Sequence, residues 1–171
     1  VYRGMTIGSG KDLDDYTVDG EQVPYHLIDI CEPGYRFNVY EFQCAFQNAY
    51  MDITARHCMP IMCGGTGLYI ESVLKSYELG QVRFPERKSL TIGLKIDRDL
   101  RREKITRRLK ARMEEGMIEE VQTLLKTVSA ERLIRYGLEY KYVTLYCIGQ
   151  LSYDEMFRQL EIAIHQFAKR Q

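Results

Sequence analysis

The sequence predicts an α/β fold, an open sheet flanked by helices and followed by a helical C-terminal part. Three observations predict it. The compact apolar run Pro60-Ile61-Met62-Cys63 stops abruptly at Gly64-Gly65-Thr66-Gly67, and residues from Leu68 to Tyr77 then read as a helix. Strand, glycine turn and helix in that order are the grammar of an open α/β sheet, in which ligands sit beyond the carboxyl ends of the strands. His26 to Ile30 and the alternating residues 89–96 read as further strands. Beyond Arg98, helical spacing takes over.

The elements follow in order. Residues 1–36 are turn-rich, punctuated by Gly4, Gly8, Gly10, Gly20, Pro24, Pro33 and Gly34. Asn38 and Glu41 form a capping-box pattern. From there Phe42, Ala45, Phe46, Ala49 and Ile53 keep helical spacing to about Arg56. A long helical region from Arg98 to Thr127 carries an apolar seam of Ile105, Leu109, Met113, Met117, Val121 and Leu124. A last helix opens at Ser152 with a capping box to Glu155 and buries Met156, Leu160, Ala163, Ile164 and Phe167.

The 171 residues suit one domain with a real core. With 24 basic and 24 acidic side chains the net charge is zero, which argues against nucleic-acid binding by bulk charge and leaves local patches open. No apolar run approaches the roughly 20 residues of a membrane span, and no signal-peptide pattern opens the chain. A monomeric cytoplasmic protein is expected. The chain starts Val1-Tyr2-Arg3-Gly4, without Met, and reads like the middle of something longer. Five cysteines (31, 44, 58, 63 and 147) are scattered without zinc or redox spacing, so buried reduced thiols are expected.

Three segments have the chemistry to hold phosphate. Gly8-Ser9-Gly10-Lys11 fails as a Walker motif, because Met5 stands where its first glycine should be and Asp12 where its Ser or Thr should be. Gly64, Gly65, Thr66 and Gly67 are better placed: glycines admit a ligand close to the backbone, the helix N-terminus favours an anion, and Thr66 adds a donor hydroxyl. The same turn also serves for packing alone. Arg98 to Arg112 holds eight Lys or Arg and two acids, with Arg101, Lys104, Arg108 and Arg112 on one stripe bordering the seam. Such a stripe lines a channel or is simply solvated. The third segment, Ile134 to Tyr142, interleaves Arg135, Tyr140 and Lys141 with further tyrosines, a composition that stacks bases or packs a core edge. The terminal pair Lys169-Arg170 shares that ambiguity.

Together these segments resemble the tRNA dimethylallyltransferase (isopentenyltransferase) family. Tyr2 to Lys11 is similar to the family's Y-x-G-M-D-I-G-T-A-K, with Thr6 in place of Asp. His26 to Pro33 resembles H-L-I-D-x-x-x-P, and Pro60 to Tyr69 the P-[IL]-x-x-G-G-T-G-L-Y segment. Gly116 to Val121 is similar to G-L-x-x-E-V, and Ala168 to Gln171 to A-K-R-Q. The resemblance implies a P-loop NTPase-like parallel core with a helical part, around a channel shared by tRNA and prenyl diphosphate. It implies transfer of a dimethylallyl group from its diphosphate to the N6 amine of a flipped adenine beside the anticodon. It places Thr66 at the bridging oxygen, Arg108 on the leaving group and Lys104 where the family has an arginine. Gly64, Gly65 and Gly67 complete the diphosphate cradle, and Mg2+ is the expected cofactor. Lys11, Arg135, Tyr140, Lys141, Lys169 and Arg170 are the candidates for the anticodon stem-loop.

The family's P-loop and D-S-x-Q segments are not in this sequence, and a tRNA-binding helical insertion is missing near 77–87. Residues 1–171 are therefore expected to form one incomplete catalytic domain, itself inactive. Two rivals keep part of this reading: an adenylate isopentenyltransferase acting on free AMP, ADP or ATP, and a non-catalytic RNA-binding remnant. A nucleotide kinase, suggested by fold analogy, is disfavoured by the failed Walker test.

Overall fold

The computed structural model describes residues 1–64, 67–77, 79, 89–93 and 95–170. The chain divides into two compact units, one from Val1–Tyr35 and Leu94–Arg170, the other from Arg36–Gly93.

The first unit is mostly helical. A single turn of 3-10 helix, Leu13–Tyr16, leads into a hairpin of β1 (Thr17–Val18) and β2 (Glu21–Gln22), which pair antiparallel with Thr17 opposite Gln22. Asp19 and Gly20 close it with positive φ at both positions (51° and 83°), the conformation a two-residue hairpin turn needs. Five helices follow the second unit in sequence: α3 (Arg98–Glu114), α4 (Met117–Leu124), α5 (Ala130–Tyr136), α6 (Leu138–Cys147) and α7 (Tyr153–Arg170). Their apolar stripes meet in one core, where Met117, Leu133, Met156 and Leu160 are fully buried with Val121 and Val143. Burial of each large side chain contributes roughly 1.5–3 kcal/mol.

The expected helix from Arg98 to Thr127 is two helices. Gly116, at φ 99°, takes the left-handed conformation that ends α3 and turns the chain into α4. The seam itself is kept: Leu109, Met117, Val121 and Leu124 are buried, with Ile105 and Met113 half-buried at its edge. The capping box at α7 forms as expected. Ser152 N–H donates to Glu155 Oε2 at 3.0 Å and Glu155 N–H to Ser152 Oγ at 3.3 Å.

The second unit contains α1 (Val39–Ala55) and α2 (Gly67–Leu74). Asn38 and Glu41 make the expected capping box, with both bonds at 3.0 Å. Phe42 stacks on Tyr69 with ring centroids 4.5 Å apart, and Gln43, fully buried, donates to the carbonyls of Ser72 and Tyr77. The helix expected over Leu68 to Tyr77 ends early because Ser76 turns left-handed at φ 48°.

The expected strands are where sequence and structure part. Residues 26–30 are bent, because Leu27 (φ 63°) and Asp29 (φ 55°) leave the extended region; one parallel bridge joins Tyr2 to Cys31 nearby. Residues 60–63 and the described residues of 89–96 form no helix or strand and have no ladder partner among the described residues. An apolar run becomes a strand only when neighbours satisfy its N–H and C=O groups. Ile61 (82% exposed) and Leu90 (87%) accordingly lie open. Cys58 and Cys63, expected to be buried, are exposed; Cys31, Cys44 and Cys147 are half-buried, and none of the five is in a disulfide.

Candidate active site

Several charged residues of the first unit meet around one turn. The segment from Met5 to Lys11 folds back on itself, with Gly10 N–H bonded to Ile7 O at 3.1 Å. The carboxylate of Glu120 on α4 holds this turn. Glu120 Oε2 accepts from the N–H of Thr6 at 2.8 Å and of Ile7 at 2.7 Å, and Oε1 from Gly8 N–H at 3.2 Å. Tyr140 on α6 donates its hydroxyl to Oε1 at 2.8 Å. Three successive backbone donors around one anion form a nest. A Cβ at Gly8 would stand 2.8 Å from Tyr140 Cζ, so the ring lies directly against the backbone there. Burial pushes the Tyr140 phenol up, and the Glu120 charge adds to the shift.

Just past this turn Asp12 reaches α3. Arg108 Nη2 donates to its Oδ2 at 2.8 Å, and Arg112 Nη2 to its Oδ1. Arg108 and Arg112 are four residues apart and share a helix face. Arg112 also donates to Glu115 at 2.7 Å. Partial burial works against the Arg112 charge, and hydrogen bonds to Asp12 and Glu115 outweigh it, so the guanidinium is held above its ordinary pKa. Burial pushes the Glu139 carboxyl up; Arg108 and Arg112 oppose that. Arg108 Nη2 lies directly against Gly10; that flexible, exposed guanidinium could yield to a side chain, so what favours glycine there is the positive φ of 61°.

Of the stripe Arg101, Lys104, Arg108 and Arg112, the two middle residues are exposed. Lys104 is exposed one turn before Arg108, and the Arg108 side chain is 61% exposed despite its bond to Asp12. Gly64 lies outside any helix or strand and Gly67 opens α2; around both, a Cβ would meet open space. Gly65 and Thr66 lie outside the described residues, as does most of the stretch near 77–87.

The candidates for tRNA divide. Lys11 is turned inward: its ammonium, on a side chain only 6% exposed, bonds to Tyr2 O at 2.6 Å and pairs with Asp29. Tyr140, 5% exposed, is committed to Glu120. Arg135 is exposed and pairs with Glu131 one turn back. Lys141 places its ammonium 5.0 Å from the Tyr142 ring centroid. Lys169 and Arg170 close α7, exposed, where cations suit the helix dipole. Sequence reasoning misses Asp12 and Glu120 as members of the site. Glu120 sits inside the Gly116–Val121 motif, which is a signal; Asp12 stands out only as a misfit to the Walker pattern.

Elsewhere on this unit, a recess of about 340 Å3 between α3 and α7 is lined by Lys110, Tyr153, Phe157, Arg158 and Glu161. Lys110 is two residues from Arg108 and so faces away from it. Among the described residues, no helix is long and apolar enough to cross a membrane.

Comparison with known proteins gives this arrangement a context. The family model for IPP transferase matches residues 1–89 and 77–171. The chain is 46% identical to tRNA dimethylallyltransferase 2 of Bacteroides fragilis, in an alignment covering 100% of this chain and 75% of that protein. It is 47% identical to tRNA dimethylallyltransferase 1 of Parabacteroides distasonis with the same coverage. Both alignments span 230 positions, more than the chain has residues. The structure superposes on a tRNA isopentenylpyrophosphate transferase from Bacillus halodurans with a TM-score of 0.84 and 26% identity, over 100% of this chain and 73% of that one. The same fold recurs in the Staphylococcus epidermidis protein of that description (TM-score 0.81, 23% identity, 99% and 76% covered). The chain belongs to the IPP transferase family.

Proposed function

We propose that this chain forms the leaving-group side of an enzyme that moves a dimethylallyl group from dimethylallyl diphosphate to the N6 amine of the adenine beside a tRNA anticodon. The observation that carries the reading is the Arg108–Arg112 pair, set on one face of α3 against a glycine turn that an anion-holding nest keeps in shape. Relatives in the same family carry the name tRNA dimethylallyltransferase.

Breaking the allylic C–O bond gathers negative charge on the departing diphosphate and positive charge on the allyl carbon. Arg108, exposed and anchored through one nitrogen, has donors left for the diphosphate oxygens. Lys104 extends the same cationic strip by one turn. Thr66 is proposed to donate to the bridging oxygen from the glycine turn, with Gly64, Gly65 and Gly67 allowing close approach of the backbone. Arg135, Lys169 and Arg170 supply exposed cations, and Lys141 a half-buried one, for the RNA backbone. A P-loop-type parallel core remains part of the proposal. The open apolar runs at 60–63 and 89–93 look like strands of such a sheet without ladder neighbours. Mg2+ is the cofactor proposed to share the diphosphate charge. Among the described residues no group of three or more His, Cys, Asp or Glu comes together to hold a metal, so no step is derived through a protein-held ion.

The test is Arg108→Ala in the full-length gene product. Turnover is expected to fall by orders of magnitude with only a modest loss of tRNA affinity. An unchanged chemical step in single-turnover assays would remove Arg108 from this role. Comparing an anticodon stem-loop with free AMP as acceptor separates tRNA modification from adenylate prenylation.

A further inference from the structure

We propose that Asp12 is a built-in counter-ion of the Arg108–Arg112 pair, which the diphosphate displaces on binding and which retakes the pair as the product leaves. The inference rests on the reading of Arg108 as the leaving-group cation.

Both arginines are engaged by the fold itself. One Asp12 oxygen takes Arg108 and the other takes Arg112, so a single carboxylate bridges the two cations as a phosphate oxygen pair would. Glu115 takes a second nitrogen of Arg112, and Glu139 lies within electrostatic range of both. The acids facing the pair thus offset most of its charge at rest. Asp12 itself is one-third exposed and the Arg108 side chain 61% exposed, so water and ligand reach the bridge and exchange needs no unfolding. Arg112 is held more deeply, at 17% exposure, and keeps Glu115 when Asp12 departs.

The backbone supports a role for the charge and not merely for the residue's shape. Asp12 sits at φ 44°, ψ 55°, a left-handed conformation that Asp and Asn both tolerate, and its carbonyl accepts the N–H of Asp15 at 3.0 Å. The Asp12→Asn variant would therefore hold the same turn while giving up the anion. A competing carboxylate weakens diphosphate binding by the strength of the bonds that must first break. For one exposed and one more sheltered ion pair, each taken at the surface value, that is between about two- and thirtyfold in affinity. For an enzyme whose product is diphosphate, such a competitor hastens release.

Isothermal titration of the chain with inorganic pyrophosphate tests this directly, using the parent, Asp12→Asn and Arg108→Ala proteins, with circular dichroism confirming that each is folded. Asp12→Asn is expected to bind pyrophosphate between about two- and thirtyfold tighter than the parent, within the range set by the bridge. In the full-length gene product, inhibition by pyrophosphate should strengthen by the same factor. Unchanged or weaker binding by folded Asp12→Asn, with Arg108→Ala still abolishing it, overturns the counter-ion role and makes Asp12 a support for Arg108. Pyrophosphate binding that survives Arg108→Ala overturns the reading of the arginine itself, and the inference with it. If Asp12→Asn does not fold, Asp12→Gly, which takes φ 44° freely, serves in its place with the same expected gain.

Discussion

Glu120 should be worth more to this fold than any other surface-reaching carboxylate, and Glu120→Gln measures it. The substitution keeps volume and leaves no cavity, so what changes is charge and one acceptor. The carboxylate accepts from Thr6, Ile7, Gly8 and Tyr140. An amide offers one oxygen and turns an NH2 toward donors that already point at it. Thr6 N–H is near solvent and recovers a partner in water. Ile7 N–H, Gly8 N–H and the Tyr140 hydroxyl are part-buried, and leaving such donors unmet costs about 1–3 kcal/mol each, not additively. A loss of about 3 kcal/mol is the central expectation. At about 2–4 °C per kcal/mol for a chain of this size, Tm falls by roughly 6–12 °C. Tyr140→Phe removes one donor and leaves Glu120 with three, so it should cost only about 1 kcal/mol. The double variant should lose less than the sum, because both act on one bond. Circular dichroism melts give the shifts, and hydrogen exchange shows whether the amides of residues 6–8 are the ones released. A Glu120→Gln protein melting within about 2 °C of the parent, with those amides exchanging no faster, would refute the clamp.

Two further outcomes follow from the same unit. Glu139 has its carboxyl pushed up by burial, so its protonated form is favoured in the fold; its contribution is present below the unfolded pKa and lost as pH rises through the folded one. Glu139→Gln should therefore raise Tm at neutral pH and lose that advantage at acid pH, which melts on either side of the carboxyl's titration will show. Gly116→Ala places a side chain at φ 99°; the nearest atom, Glu119 Oε2, would be an ordinary 3.5 Å away, so the cost is conformational, about 1–2 kcal/mol and a few degrees in Tm.

Helices were legible in this sequence because their determinants are local. The capping boxes at Asn38 and Ser152 and the seam through Leu109, Met117 and Val121 need nothing beyond one another, and they appear where the spacing puts them. Gly116 shows the limit of periodicity: the seam runs in phase across it, yet its left-handed backbone divides the helix. The strands failed for the opposite reason. Ile61 and Leu90 have the composition of buried strand residues, but a strand is a relation between segments, and composition names only one member of it.

The candidate site shows the same division at the level of single side chains. Arg108 was visible because a basic stripe at helical spacing is a local pattern. Asp12 and Glu120 were not, because each acts across roughly a hundred residues of sequence, and a carboxylate alone carries no sign of the donors it will meet. Lys11 and Tyr140 make the converse point. Both have the chemistry to grip RNA, and in the fold both are consumed by internal partners, Asp29 and Glu120. An ionic or aromatic side chain is therefore a candidate for ligand only after its internal obligations are counted. By that measure Arg108 stands apart from Arg112. Its hydrogen-bond partner among the described residues is a partly exposed carboxylate whose replacement by an amide the backbone tolerates, whereas Arg112 is held by two acids and largely sheltered from water. The cation whose bond to Asp12 lies open to water is the one a departing diphosphate would meet first, and Arg112, still held by Glu115, gives up only one of its two acids.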